Sequence, residues 1–191
     1  MNEMNSIAVY CGSSKGFNPE FEEAAFEMGR LIAQKGMSLV FGGGHVGLMG
    51  AAANGALSEG GKVIGVIPGF LEDRELGHSG VTELITVKDM HERKATIEKL
   101  SDGFIALPGG IGTLEEIAEM MTWGQLGLHR KPYGLLNTQG FYNNLTAFLE
   151  NMIKSGFFRQ EHLDQLIVET APTKLLEKIQ TSEIQYKEKW L

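Results

Sequence analysis

Short apolar segments alternate with longer amphipathic segments along the chain, and glycine-rich turns separate many of them. The apolar segments hold almost no polar residues, which is typical of parallel strands buried on both faces of a sheet. They cover residues 7–11, 38–41, 62–68, 83–87, 104–107, 133–137 and 166–170. Strands that alternate with helices form right-handed βαβ units. The pattern therefore predicts an α/β fold, a mostly parallel sheet with helices on both faces, in a single domain over residues 1–191.

The segments between the strands predict helices, and two of these helices carry clear N-terminal signals. Helices are predicted within 18–36, 48–61, 89–102, 113–127, 141–156 and 173–180. Asn18 and Pro19 suit the N-cap and the first helical position. Asp89 and Glu92 have the spacing of a capping box. The connection 69–80 is expected to be less regular.

The composition excludes several classes of partner. A formal net charge of −7 argues against duplex DNA or an anionic membrane, since binding to either needs clustered lysine and arginine. No apolar stretch approaches the roughly 20 residues that span a bilayer. The N-terminal segment is too polar for a signal peptide, and the lone Cys11 cannot form an internal disulfide. These features predict a cytoplasmic protein.

Glycine makes up 25 residues, nearly twice the average usage, and four glycine-containing turns follow predicted strands. These turns lie at 11–16, 41–50, 67–70 and 108–113. The carboxyl ends of parallel strands meet at one edge of the sheet, where such folds bind their ligands. The four turns are therefore expected to line a single crevice.

The turn GGGHVG at 42–47 matches the dinucleotide-binding pattern G-x-G-x-x-G and opens a helix. It follows the second strand, however, whereas the fingerprint belongs after the first. The next strand ends in Val66-Ile67-Pro68 and offers no acidic residue for a ribose hydroxyl. These two departures argue against a dinucleotide site. The alternative is that the glycines let the helix pack closely on the sheet.

The turn PGGIGT at 108–113 is better suited to an anion. Successive backbone N–H groups of glycine-rich turns can point at one spot, and the following helix adds the positive end of its dipole. No lysine follows the last glycine, so the turn is not a P-loop, and a monophosphate suits its size. The alternative is purely structural: Thr113 is an N-cap and Glu116 its capping-box partner.

Arg93 and Lys94 stand near the start of a helix that begins at the same sheet edge. Cations prefer helix C-termini, so this placement goes against the helix dipole. A pocket that holds a guanidinium near an anion would explain it, and so would a solvated charged face.

Four motifs, in this order and spacing, resemble the cytokinin-activating phosphoribohydrolases known as LOG proteins. The motifs are CGSS at 11–14, GGGHVGLMG at 42–50, MHERK at 90–94 and PGGIGTLEE at 108–116, and the likeness continues through 122–137. The resemblance implies a Rossmann-like fold, a homodimer and hydrolysis of the N-glycosidic bond of N6-substituted AMP. The products would be the free base and ribose 5-phosphate, with no metal or organic cofactor. Many members carry a "lysine decarboxylase" label, but no lysine here has a recognisable pyridoxal-phosphate context.

The resemblance also implies which residues form the site. Arg93 and Glu116 would be the catalytic pair. The residues that would bind the nucleotide are Ser13, Gly43, Gly44, Glu75, Lys94, Gly109, Gly110, Ile111, Gly112, Thr113, Glu115 and Thr122. The five histidines are scattered, so no metal site is predicted.

The implied chemistry is consistent with these residue types. Breaking a C1′–N9 bond passes through an oxocarbenium-like sugar, which needs a nearby negative charge and a positioned water. Glu116, one turn inside the helix, could supply either. Arg93 could hold Glu116 in its ionised form and orient it, or it could contact the phosphate. Two alternatives remain open from the sequence: Arg93 and Glu116 form only a salt bridge between helices, or the chain is a non-catalytic nucleotide or cofactor carrier.

Overall fold

The seven predicted strands all form and make one parallel sheet. The computed structural model describes residues 4–75, 77–182 and 184, with the backbone alone for 73–75. The strands within this part of the chain are β1 (Ser6–Tyr10), β2 (Ser38–Phe41), β3 (Val63–Pro68), β4 (Glu83–Val87), β5 (Gly103–Ala106), β6 (Tyr133–Leu136) and β7 (Leu166–Glu169). The α/β fold with a parallel sheet is confirmed.

The strand order is β4-β3-β2-β1-β5-β6-β7. The chain moves outward from β1 to β4, crosses back to β5 beside β1, and then moves outward in the other direction. The direction of winding thus reverses between β1 and β5, where Tyr10 is level with Ala106. A crevice opens beyond the carboxyl ends of strands at such a switch point. Two of the predicted glycine turns, at 11–16 and 108–113, directly follow these two strands.

The helices are α1 (Pro19–Gln34), α2 (Gly47–Ser58), α3 (Gly69–Glu75), α4 (Met90–Leu100), α5 (Ile111–Gln125), α6 (Asn143–Lys154), α7 (Gln160–Leu163) and α8 (Pro172–Thr181), with a 3-10 turn at Thr138–Gly140. None of the described helices is long and apolar enough to cross a membrane.

Both helix N-termini with predicted caps form as expected. Asn18 Oδ1 accepts a hydrogen bond from the backbone N–H of Glu20 at 3.0 Å, and Pro19 is the first helical residue. Asp89 Oδ1 accepts from the backbone N–H of Glu92 at 2.9 Å. The Glu92 carboxylate reaches the N–H of Lys88, one residue before the cap, rather than that of Asp89.

The helices differ from the prediction most clearly in three places. The short helix α7 (Gln160–Leu163) lies in a segment for which no helix is predicted. The connection expected to be irregular contains α3, because FLEDRE is a run of good helix formers that the flanking glycines obscured. Helix α5 begins at Ile111, two residues before Thr113, and includes Gly112. Glycine is a poor helix former, so sequence propensity placed this start too late.

Two apolar clusters cover the two faces of the sheet. Along β1, Ile7 and Val9 belong to the cluster beneath α1, α2 and α8, whereas Ala8 and Tyr10 belong to the cluster beneath α4 and α5. Successive strand residues point to opposite faces, so a strand buried on both sides is apolar throughout. The helices are held against the sheet in this way, and the N-terminal ends of α2, α4 and α5 border the crevice.

Candidate active site

A cavity of about 310 Å³ lies at the switch point between β1 and β5. It is lined by Val9, Tyr10, Cys11, Gly12, Ser13, Gly42, Met49, Met90, Arg93, Gly110, Ile111, Gly112, Thr113, Glu115 and Glu116. Its walls thus come from the ends of β1 and β2, the starts of α4 and α5 and one residue of α2. Three of the four glycine turns, at 11–16, 41–50 and 108–113, line this one cavity, as expected.

The PGGIGT turn presents the N-terminus of α5 to this cavity. Gly110 is the N-cap and makes no side-chain capping bond, and Ile111 is the first helical residue. The first backbone N–H groups of a helix lack intrahelical acceptors and carry the positive end of its dipole. A Cβ on Gly110 or Gly112 would meet nothing within 4 Å, so both positions leave space beside these donors. The arrangement fits an anion.

Thr113 is not the N-cap of α5. It lies inside the first turn and is buried, so the capping-box alternative for Thr113 and Glu116 is wrong. Its hydroxyl lies against Gly109, where a Cβ would stand 2.1 Å from Thr113 Oγ1. Glycine at 109 is therefore needed for the turn to close over Thr113.

Backbone hydrogen bonds join the turns around the cavity. The N–H of Gly12 donates to Pro108 O at 3.1 Å, and the N–H of Leu48 donates to Gly12 O at 3.0 Å. The turn after β1 is thereby tied both to the PGGIGT turn and to the start of α2. These bonds fix the positions of the three turns relative to one another.

The Arg93 guanidinium is held at the carboxyl ends of β2 and β3. Its Nε donates to Val66 O at 3.1 Å and its Nη2 to Gly42 O at 3.3 Å. Its Nη1 lies 3.4 Å from Glu116 Oε1, and both side chains are only 10% exposed. The predicted pairing of Arg93 with Glu116 is thus present in the structure, as a buried ion pair facing the cavity.

Lys94 turns away from this pair and toward α5. Its Nζ lies 2.5 Å from Glu115 Oε1 and 3.1 Å from Glu119 Oε1. Although burial alone lowers the pKa of Lys94, the hydrogen bonds to the two carboxylates raise it above its usual value. Lys94 is absent from the cavity lining, whereas its partner Glu115 is part of it.

Tyr10 and Cys11 stand beside Glu116 in the wall of the cavity. Burial, together with the charge of Glu116, raises the pKa of the Tyr10 hydroxyl and that of the Cys11 thiol. Both groups therefore stay protonated at neutral pH. A thiol nucleophile at Cys11 is not supported, because the thiolate is the reactive form.

Of the sequence-predicted residues, Ser13, Arg93, Glu116 and the residues from 110 to 113 line the cavity together with Glu115. Gly109 lines an adjacent groove. Gly43 packs against Ile67 and Leu84, and Gly44 pairs with Gly77 in an isolated β-bridge.

Thr122 is exposed on α5, and its hydroxyl donates to Ala118 O at 2.8 Å. The side chain of Glu75 lies outside the described residues. The binding roles of these two residues, and of Gly43 and Gly44, remain predictions.

Gly42 and Met90 also line the cavity, although neither is among the predicted site residues. A Cβ on Gly42 would stand 1.9 Å from Arg93 Nη2, so only glycine allows the guanidinium to sit there. Met90 Sδ lies 3.9 Å from Arg93 Nη1. Both residues fall inside the quoted motifs, but nothing in the sequence shows that residue 42 touches residue 93.

The histidines do not assemble a metal site in the described part of the chain, where no three potential ligands group together. His129 Nδ1 accepts from the N–H of Lys131 at 3.1 Å, so its Nε2 donates to Met120 O at 2.9 Å. His78 is likewise engaged with Asn54 at 3.0 Å and with Gly80 at 3.2 Å.

Comparisons with known proteins agree with the geometry. Residues 49–179 match a family model described as "Possible lysine decarboxylase". The chain is 46% identical over 167 residues to the rice cytokinin riboside 5′-monophosphate phosphoribohydrolase LOG, covering 87% of this chain and 68% of the relative. It is 42% identical over 179 residues to LOG1 of Arabidopsis thaliana, covering 94% and 84%.

Solved structures with the same fold include two proteins that handle molybdenum cofactor. The binding protein from Rippkaea orientalis superposes with a TM-score of 0.70 at 27% identity, covering 94% of this chain and 97% of that one. A carrier protein from Chlamydomonas reinhardtii has a TM-score of 0.67 at 24% identity, covering 91% and 98%. The second likeness concerns the fold alone. On the sequence matches, the chain belongs to the LOG family of cytokinin riboside 5′-monophosphate phosphoribohydrolases.

Proposed function

We propose that this protein hydrolyses the N-glycosidic bond of N6-substituted adenosine 5′-monophosphates, releasing the free base and ribose 5-phosphate. The observation that carries the proposal is the buried Arg93–Glu116 pair, which faces the same cavity as the N-terminus of α5. A pure carrier would need the anion-binding turn but has no need for a carboxylate one helical turn away.

The 5′-phosphate binds at the N-terminus of α5, where backbone N–H groups and the helix dipole favour an anion. Gly110 and Gly112 leave room for its oxygens, and the Thr113 hydroxyl adds a polar group beside them. Arg93 is already held by two strand-end carbonyls and by Glu116. The main grip on the phosphate is therefore the backbone of the turn.

The phosphate grip places the sugar near Glu116. Glu116 is three positions after Thr113, which is close to one helical turn of about 5.4 Å. A ribose whose phosphate sits on the first turn thus brings C1′ toward the Glu116 carboxylate. Binding energy from the remote phosphate serves in this way to orient the reacting centre.

In the bond-breaking step the C1′–N9 bond cleaves and its electron pair leaves with the base, which takes a proton from solvent. The Glu116 carboxylate stabilises the positive charge that develops on the sugar. The oxygen of a water then bonds to C1′, the water loses one proton to Glu116, and Glu116 returns that proton to solvent. Arg93 fixes the orientation of Glu116 throughout the reaction, because hydrogen bonds to Val66 O and Gly42 O hold its guanidinium in place beside Glu116.

The chain is further proposed to form a homodimer. The exposed face of α5 and the loop after it carry Leu114, Leu126 and Leu128, and Leu128 is 67% exposed. Thr122 lies on the same exposed helix. Exposed apolar side chains of this kind are candidates for contact with a second copy. With a single cysteine, which is buried, the chain also fits a reducing compartment such as the cytoplasm.

The function is tested by incubating the purified protein with AMP and with N6-isopentenyl-AMP, without added metal, and separating the products by chromatography. Free base and ribose 5-phosphate are expected in equal amounts. Glu116→Gln keeps the shape of the side chain and removes its charge, and it should lower kcat by roughly 10²–10⁴-fold. Intact nucleotide after long incubation, with binding still measurable, would instead support the carrier alternative.

A further inference from the structure

We infer that Lys94 is a positioning residue, which with Glu115 and Glu119 clamps α4 to α5 and so holds Arg93 against Glu116. This inference rests on the proposed function. It differs from the expectation drawn from the family resemblance, in which Lys94 binds the nucleotide. Glu119, which the sequence analysis did not single out, becomes part of the arrangement.

Three ion-pair contacts join α4 to α5, one from Arg93 and two from Lys94. Arg93 and Lys94 are neighbours on α4, and Glu115 and Glu116 are neighbours on α5. Arg93 pairs with Glu116 at 3.4 Å, facing the cavity, and Lys94 pairs with Glu115 at 2.5 Å. Adjacent residues of a helix point about 100° apart. The Lys94 contacts therefore lie beside the cavity-facing pair and set the spacing of the helices that carry it.

Burial commits the Lys94 ammonium to these partners. The residue is only 8% exposed, and its ammonium contacts two carboxylates, at 2.5 and 3.1 Å. A buried cation is stable only when it is paired. Glu119 depends on the same contact, because its Oε2 is buried and has no hydrogen-bond partner among the described residues. Moving Lys94 to a substrate phosphate would deprive Glu119 Oε1 of this ion pair.

The carboxylates of α5 need the positive charge of Lys94 more than a substrate phosphate does. Glu115 and Glu119 are four residues apart on α5, a spacing at which like charges repel. Glu116 adds a third carboxylate beside them, and within the described ranges Arg93 and Lys94 are the cations paired with this group. Without Lys94, a single guanidinium would face three carboxylates. Repulsion would then separate α4 from α5 and move Glu116 away from Arg93.

The test compares Lys94→Met, which keeps the length of the side chain, with the matched control Lys131→Met. Lys131 pairs with Glu98 at 2.5 Å near the other end of α4, outside the cavity. Lys94→Met should lower kcat by about 10- to 100-fold, change the Kd for AMP less than about threefold, and move the acid limb of the pH profile of kcat/KM upward. Lys131→Met should lower the melting temperature and leave kcat unchanged.

Two rescue variants separate the roles further. Lys94→Arg retains a cation between Glu115 and Glu119 and should recover most of kcat. The double variant Lys94→Met/Glu119→Leu removes the buried charge together with its partner, and it should melt at a higher temperature and turn over faster than Lys94→Met alone. If Lys94 bound the substrate phosphate, a change at Glu119 would not restore the activity lost in Lys94→Met.

Opposite results would overturn the inference. Those results are a Kd for AMP weakened by roughly 10- to 100-fold with kcat retained at saturation, or no recovery in the double variant. If the unaltered protein released no base from any nucleotide, the proposed function would fail. The AMP binding and melting measurements would still decide whether Lys94 clamps the helices or holds the phosphate.

Discussion

The Arg93 guanidinium can reach Glu116 only because residue 42 has no side chain. A Cβ at Gly42 would stand 1.9 Å from Arg93 Nη2 and 3.2 Å from Met49 Sδ. The guanidinium is also held by the carbonyls of Gly42 and Val66, so it cannot move aside without breaking buried hydrogen bonds. Packing at one glycine thus controls the geometry of the proposed catalytic pair.

Gly42→Ala is therefore expected to lower kcat/KM by at least about tenfold, since a misplaced orienting group costs that much or more. The chain should still fold, because the added methyl group would displace only the guanidinium end of the Arg93 side chain. Gly69→Ala is the matched control: its nearest contact would be Thr86 Cγ2 at 3.7 Å, an ordinary distance. Kinetics on AMP and thermal melts of both variants check this. Equal activities for the two variants would show that Gly42 does not matter for the pair.

Sequence reasoning identified Arg93 and Glu116 but not the contacts that hold them. The run of three glycines at 42–44 was visible, yet only the three-dimensional structure distinguishes Gly42, which faces Arg93, from Gly43, which packs beneath β4. Glu119 was equally hidden, because a glutamate within a helix ordinarily belongs to a solvated face. Such contacts depend on how α4 and α5 sit relative to one another, and the local sequence carries no record of that.

At the scale of the elements, the sequence predicted every described strand, because strands buried on both faces of a parallel sheet are uninterrupted apolar runs. It was less accurate at the starts of helices near the site. Helix α5 begins among glycines that disfavour helix, and tertiary contacts such as the Gly12–Pro108 hydrogen bond override that preference. Prediction therefore failed where the chain departs from ordinary propensities to present backbone N–H groups.

The N-terminus of α5 allows a test in which stability and binding respond in opposite directions. Ile111, its first residue, is 81% exposed and lines the cavity. Ile111→Glu places a negative charge at the positive end of the helix dipole, which should stabilise the fold by about 0.3–1 kcal/mol. The same charge neutralises the positive end of the helix dipole and repels the 5′-phosphate, so KM for AMP should rise about tenfold or more.

The control for this variant is Ile111→Gln, which changes polarity without adding charge. It should leave KM for AMP within about threefold of the original. Cleavage of adenosine, which has no phosphate, should respond alike to both substitutions. A Glu variant that binds AMP as tightly as the Gln variant would place the phosphate away from the start of α5.

For the whole molecule, two of the buried histidines, His78 and His129, couple folding to pH. His78 and His129 are each less than a tenth exposed, and burial lowers the pKa of each ring below its ordinary value near 6.5. Both rings have polar partners that suit the neutral form, such as the Lys131 N–H that donates to His129 Nδ1. Protonation would force that nitrogen to lose its role as acceptor. The folded protein therefore resists protonation that the unfolded chain accepts.

The sign of the effect follows from linkage. When the pKa is lower in the folded state, the unfolded chain binds the proton first as pH falls below about 6.5, so the free energy of unfolding decreases. Each histidine contributes a slope of at most about 1.4 kcal/mol per pH unit, and its contribution ends below its folded-state pKa. Urea unfolding from pH 8 to pH 5 should show a plateau near neutrality and then a decline. His129→Gln, whose amide can still donate to the Met120 carbonyl, should make that decline shallower; an unaltered slope would mean that acid acts elsewhere.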